Sequence, residues 1–293
     1  MRILLLILAL LAAWPAQAQP RVLASIEPLA MLARELLGEQ AQVETLLLPS
    51  QNPHFAAFTP GQLRKLEQAD LIVWLGADAE PHVAAMINRV QTAQLAMLSL
   101  DGLHRISATE HGHHDHGDVG DIGLDRHLWL SPDNMALLAT ALAARLSADV
   151  AQPEVLAARL TALRERLAGV GRELRDQLAD VRGRPYLSHH DPWAYFAEYA
   201  GLARARVISD SLEGSASARR FAELAARMQD EAIQCVLMEP EARQALLRRL
   251  CQGECRLVTL DPLGRDWAGG DYSAFLMHLG NSFRQCLAGP DSR

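Results

Sequence analysis

Histidine is the residue type with the most chemistry to offer in this chain. There are eleven among 293 residues, and they are unevenly placed. His111, His113, His114 and His116 crowd into one short glycine- and aspartate-rich stretch. Elsewhere, His54 lies just beyond an apolar run at residues 43–48, and His190 ends a run that starts at Tyr186. Asp261 closes the run RLVTLD, and His127 sits in DRHLWLSP at the start of a helical stretch. In open α/β sheets, ligands bind beyond the carboxyl ends of strands, where His54, His190 and Asp261 fall. Three imidazoles and one carboxylate suit a tetrahedral zinc ion, with donors at about 2.0–2.2 Å. Calcium and magnesium prefer all-oxygen shells. Manganese and ferrous iron accept mixed nitrogen and oxygen donors and stay open on donor type alone.

The elements that must position these groups are legible from periodicity. Residues 21–25, 43–48, 71–75 and 96–100 read as short buried strands, with helices at 29–37, 60–69 and 80–91 between them. A helix is expected from Ser131-Pro132-Asp133 to residue 148. Residues 186–190, 206–209, 233–238 and 256–261 read as a second set of strands. The helices of this half fall at 193–201, 215–228, 241–250 and 272–287. Strand–helix alternation of this kind predicts an α/β fold with mostly parallel sheets, one in each half. Between the halves, residues 153–181 carry leucines and valines at three- and four-residue steps, a single apolar stripe interrupted only by Gly169 and Gly171. Such a helix, roughly 43 Å long, exceeds a small domain's diameter and predicts a rod joining two lobes. Residues 104–126 show no apolar periodicity and read as a surface loop suited to metal capture at several weak geometries.

Compartment and partners are bounded by the ends and the composition. Met1-Arg2, an apolar stretch to Trp14 and Ala16-Gln17-Ala18 have the three-part build of a cleaved secretory leader spanning residues 1–18. The apolar stretch is shorter than the roughly 20 residues a membrane-spanning helix needs. Loss of Arg2 with the leader takes the formal charge from −7 to −8, which argues against nucleic acid or an anionic membrane as partner. The expected organisation is an N-terminal lobe at 19–150, the joining helix at 151–182 and a C-terminal lobe at 183–293. Cys235, Cys251, Cys255 and Cys286 fit disulfides in an oxidising compartment, with three pairings open. His189 would face away from His190 within a strand; His82 and His278 fall on helices without an assigned role, and His104 borders the loop.

Four motifs carry a family likeness: NPHFAAFTPGQLRKLEQADLIVWLG around His54, DRHLWLSPDN around His127, SHHDPWAYFAEYAGL around His190, and TLDPLG around Asp261. In order, spacing and histidine-rich insertion, the mature chain resembles the zinc-binding proteins of bacterial ABC importers. These are the ZnuA-like members of the cluster A-I solute-binding family. The resemblance implies two α/β lobes bridged by one rigid helix. It also implies Zn2+ held at their interface by His54, His127, His190 and Asp261, and a periplasmic, monomeric protein delivering the ion to an ABC permease. It further implies pairing of Cys235 with Cys286, leaving Cys251 with Cys255. Some zinc members carry a glutamate before the first histidine. Pro53 stands there in this chain, which favours Asp261 as the fourth ligand. Asp261 is shared with manganese- and iron-binding relatives, while His190 keeps the chain on the zinc side. The rival from another class is an exported zinc hydrolase, which would need three protein ligands, an open water position and a base. There is no HExxH run, and Glu239 is the only strand-end carboxylate left unassigned, so a binding protein rather than an enzyme is expected.

Overall fold

Each half of the chain builds a four-stranded, all-parallel sheet from short apolar segments, and both sheets have the same strand order. The computed structural model describes residues 18–51, 58–107, 123–208, 218–251, 253–265 and 267–288. The first sheet comprises β1 (Arg21–Ala24), β2 (Gln42–Thr45), β3 (Leu71–Trp74) and β4 (Ala93–Ala96), in the order β2-β1-β3-β4. The second comprises β5 (Leu187–Ser188), β6 (Arg206–Val207), β7 (Cys235–Met238) and β8 (Arg256–Thr259), ordered β6-β5-β7-β8. In each, the chain reverses its direction of winding between the first and third strands, which opens a crevice at their carboxyl ends. The central strands β3 and β7 are buried along their whole length, as strands covered on both faces must be.

Among the described residues there are nine helices: α1 (Glu27–Leu37), α2 (Pro60–Gln68), α3 (Pro81–Ile87), α4 (Pro132–Leu146), α5 (Pro153–Gln177), α6 (Ala194–Ala200), α7 (Ala218–Asp230), α8 (Gln244–Cys251) and α9 (Tyr272–Ala288). Their starts follow local chemistry. Thr59 and Gln62 form a reciprocal capping box at α2, with Pro60 in the first turn. Ser131 accepts from the Asn134 N–H at α4, ahead of Pro132.

The α/β class is as expected, but several boundaries differ. The expected strand at residues 96–100 is displaced: Ala93–Ala96 makes the ladder with Leu71–Trp74, and Met97–Ser99 turns into a 3-10 helix. β4 is an edge strand with only partial burial, so its sequence carries a weaker apolar signal than the turn that follows it. Residues 46–47 are buried and lie beyond the end of β2, although their N–H groups still donate to the Ala24 and Ser25 carbonyls at 2.8 and 3.1 Å, so the expected strand ran past the regular pairing. The long helix ends at Gln177, and Ala179–Val181 is a separate 3-10 turn.

Helix α5 packs against α1 and α4 from the first half and against α6 and α9 from the second. Its glycines do not break it. A Cβ at Gly171 would lie 2.1 Å from the Tyr199 hydroxyl, which donates to the Leu167 carbonyl 3.1 Å away. Glycine is therefore needed at that crossing for close approach, not for flexibility. One apolar core runs continuously from α1 and β1 through α5 to α9. Within it Phe283 is ringed by Tyr186, Trp193 and Phe196 at 5.1–5.5 Å between ring centres. Truncating such a centre to alanine typically costs about 3–5 kcal/mol. Disulfides join Cys235 of β7 to Cys286 of α9, and Cys251 to Cys255, the pairing that the family likeness implied. Among the described residues, no helix is long and apolar enough to cross a membrane. The expected leader at 1–18 falls almost wholly outside the described residues.

Candidate metal centre

The crevice of the second sheet holds His190, just past β5, and Glu239, just past β7. Strand order makes β5 and β7 neighbours, so two residues 49 positions apart meet, with Nδ1 of His190 3.0 Å from Oε1 of Glu239. His127 precedes a 3-10 turn at Leu128–Leu130, and its own local chain supplies its partner. Asp125 Oδ1 accepts from the His127 backbone N–H at 2.9 Å and lies 2.8 Å from its Nδ1. Asp125 is itself fixed from the other half: its carbonyl accepts from the Tyr195 hydroxyl of α6 at 3.1 Å. An ionised carboxylate can only accept, so in each neutral imidazole Nδ1 carries the proton and Nε2 is the ligating nitrogen.

The two rings stand 5.0 Å apart, centre to centre, at 63°. With zinc–nitrogen bonds of about 2.0–2.1 Å, two imidazoles at a tetrahedral angle place their centres roughly 5 Å apart. This spacing is what a shared cation requires. All four side chains, His127, Asp125, His190 and Glu239, are largely buried. Burial opposes a charge on His190, but the hydrogen bond and charge of Glu239, with Asp191 and Asp125, outweigh it and hold its pKa above the usual imidazole value. Burial also raises the Asp191 carboxyl, with Arg204 pulling the other way. Burial lowers the pKa of neighbouring His189, and among the described residues its Nδ1 has no hydrogen-bond partner.

The remaining sequence-predicted residues are placed differently. His54, His111, His113, His114 and His116 lie outside the described residues. The shoulders of the segment carrying His54 are nevertheless tied by one buried side chain. Gln62 donates to the Leu46 carbonyl at 2.8 Å and to the Gln51 side chain at 2.7 Å, while its oxygen accepts from the Thr59 N–H at 2.9 Å. Asp261 is engaged by its own loop: the backbone N–H groups of Leu263 and Arg265 and the Arg265 guanidinium all donate to it. Among the described residues, no three histidine, cysteine, aspartate or glutamate side chains form a ready ligand group. The structure thus brings His127 and His190 together and pairs Asp261 with Arg265.

A profile of the family described as "Zinc-uptake complex component A periplasmic" (ZnuA) matches residues 22–286. The chain belongs to this family. Its relatives include the "High-affinity zinc uptake system protein ZnuA" of Paracoccus denitrificans, 31% identical with 94% of each chain covered. The protein of the same description from Yersinia pestis is 28% identical over 92% of each. Among solved structures, a crystal structure of ZnuA superposes with a TM-score of 0.78 at 22% identity, covering 92% of this chain and 100% of that one. The periplasmic zinc-binding protein TroA of Treponema pallidum gives 0.77 at 20% identity, covering 92% and 99%. At those identities the superpositions speak for the fold. Membership makes this a substrate-binding protein of ABC transport rather than an enzyme, with zinc as its substrate.

Sequence reasoning missed the two carboxylates that orient the histidines, and it missed Arg265. Asp125, two residues from His127, is a signal that local spacing could have offered. Glu239 was visible only as an unassigned strand-end acid, because its partner depends on strand order.

Proposed function

We propose that the chain captures Zn2+ in the periplasm and presents it to an ABC permease, holding the ion between its lobes through His54, His127, His190 and Asp261. What carries the reading is the pairing of His127 and His190, each with Nδ1 clamped by a carboxylate and the rings at the spacing of a shared tetrahedral ion. Nitrogen-rich coordination favours zinc over manganese. Helix α5, packed on both halves, acts as the joining rod and restricts opening to small rotations or loop rearrangements. The leader at 1–18 is removed on export, and the mature chain works as a monomer. The histidines at 111, 113, 114 and 116 gather further ions at weaker sites and raise the chance of capture.

Equilibrium dialysis of the mature protein against zinc should find one tight ion, lost in His127→Ala and in His190→Ala. Deletion of residues 110–117 should remove only weaker ions. Retention of the tight ion in both histidine variants would refute the ligand set.

A further inference from the structure

The surroundings of Asp261 are unusual for a residue read as a metal ligand. A carboxylate has about four lone-pair sites, and here four N–H donors occupy them. Oδ1 accepts from the Leu263 N–H at 3.1 Å and from Arg265 Nη2 at 3.1 Å. Oδ2 accepts from the Arg265 N–H at 2.8 Å and from its Nε at 2.9 Å. The guanidinium therefore grips both oxygens in the paired geometry that makes arginine a strong carboxylate partner. Its third nitrogen, Nη1, reaches Glu241 Oε1 at 2.5 Å. Both Asp261 and Arg265 are nearly buried, which removes the screening that weakens surface pairs.

We propose that Arg265 is a built-in competitor of zinc for Asp261. Its guanidinium holds the carboxylate when the ion is absent and must yield at least one oxygen for the ion to be bound, so Arg265 sets affinity and speeds release. The inference rests on the reading of Asp261 as the fourth ligand.

Two features let the exchange occur without unfolding the loop. The backbone donors of Leu263 and Arg265 keep the carboxylate in place when the guanidinium leaves. Glu241 keeps a charged anchor for the displaced group, and Arg265 already lines a cavity of about 150 Å³ walled by Glu27, Leu47, Pro49 and Leu263. A guanidinium released from Asp261 thus has both a counter-ion and room. Zinc entry costs the charge-assisted bonds between Arg265 and Asp261. Release regains them, which gives an empty protein a stable arrangement to return to.

The test is a set of zinc titrations against a competing chelator, with stopped-flow release of zinc into excess chelator, on the full mature protein. Arg265→Gln removes the competing charge and leaves Asp261 with its two backbone donors. It should bind zinc roughly ten- to a hundredfold more tightly, the equivalent of one charge-assisted hydrogen bond, and release it correspondingly more slowly. Arg265→Lys keeps a cation without the paired edge and should fall between that variant and the parent, which guards against a folding defect in either variant. Asp261→Asn should weaken binding, and adding Arg265→Gln to it should then change nothing. Weakened binding in Asp261→Asn together with unchanged or weaker binding in both Arg265 variants would overturn the competitor role alone. Unchanged binding in Asp261→Asn would instead remove Asp261 from the ligand set, and the proposal with it.

Discussion

Replacing Glu80 by glutamine should flatten part of the pH dependence of this protein's stability. Glu80 lies fully buried beyond β3 in the crevice of the first sheet, where its Oε2 accepts from Ser25 Oγ at 2.9 Å and from the Leu75 N–H at 2.6 Å. Among the described residues, its Oε1 has no hydrogen-bond partner. Burial raises its pKa to about 7, against smaller opposing effects of the Leu75 and Ser25 hydrogen bonds. Unfolded, the same carboxyl titrates near 4.5. Between those values the folded chain keeps a proton that the unfolded chain has lost, so stability falls as pH rises through this window. A tenfold difference in proton affinity between the two states is worth about 1.4 kcal/mol, and the part of the window traversed between pH 5.5 and 8 amounts to about 2 kcal/mol. Glutamine keeps an acceptor for Ser25 and Leu75 but does not titrate. Its amide nitrogen, at the position of Oε1, lacks an acceptor and adds a cost of about 1–3 kcal/mol that does not vary with pH. Urea unfolding of the metal-free, disulfide-intact protein at the two pH values gives the quantity needed. The stability of the parent relative to Glu80→Gln should drop by about 2 kcal/mol from pH 5.5 to pH 8. A difference that stays constant across that range would refute the argument that burial controls this carboxyl.

Two further outcomes follow from the metal centre and the disulfides. Glu239→Gln should weaken zinc binding about 10–100-fold at pH 8, because the His190 imidazole loses the carboxylate that orients it and raises its basicity. In the same variant burial becomes the dominant influence on His190, so the acid limb of zinc binding should move to lower pH; chelator competition across pH would expose a failure of either effect. Opening the Cys235–Cys286 bridge, which closes a separation of 51 residues, should cost up to about 4 kcal/mol by the chain-entropy relation, against about 2 kcal/mol for the four-residue Cys251–Cys255 bridge. Denaturant midpoints of the two double-alanine variants would test the order, and equal losses would contradict it.

Much of this architecture is written locally. Apolar runs ended by polar groups predicted eight strands, the Ser131-Pro132-Asp133 signal placed a helix start, and His190 stood out at the end of one of those runs. These features are legible because burial and capping act over a few neighbouring residues. The clearest error arose where burial and strand pairing part company, in β4, which is paired without strong burial.

The pairings that tune the candidate site belong to another level. Glu239 reaches His190 only because β7 lies beside β5, and Tyr195 steadies Asp125 only because α6 packs against the turn that bears it. Nothing within one segment can encode a hydrogen bond between side chains 49 residues apart. The sequence by itself offered the candidate cation-binding groups and put His190 and Asp261 at the ends of apolar runs. Tertiary structure alone decided that Glu239 faces His190 and that the His127 and His190 rings meet, since directional contacts of about 3 Å between distant segments depend on how whole strands and loops are brought together.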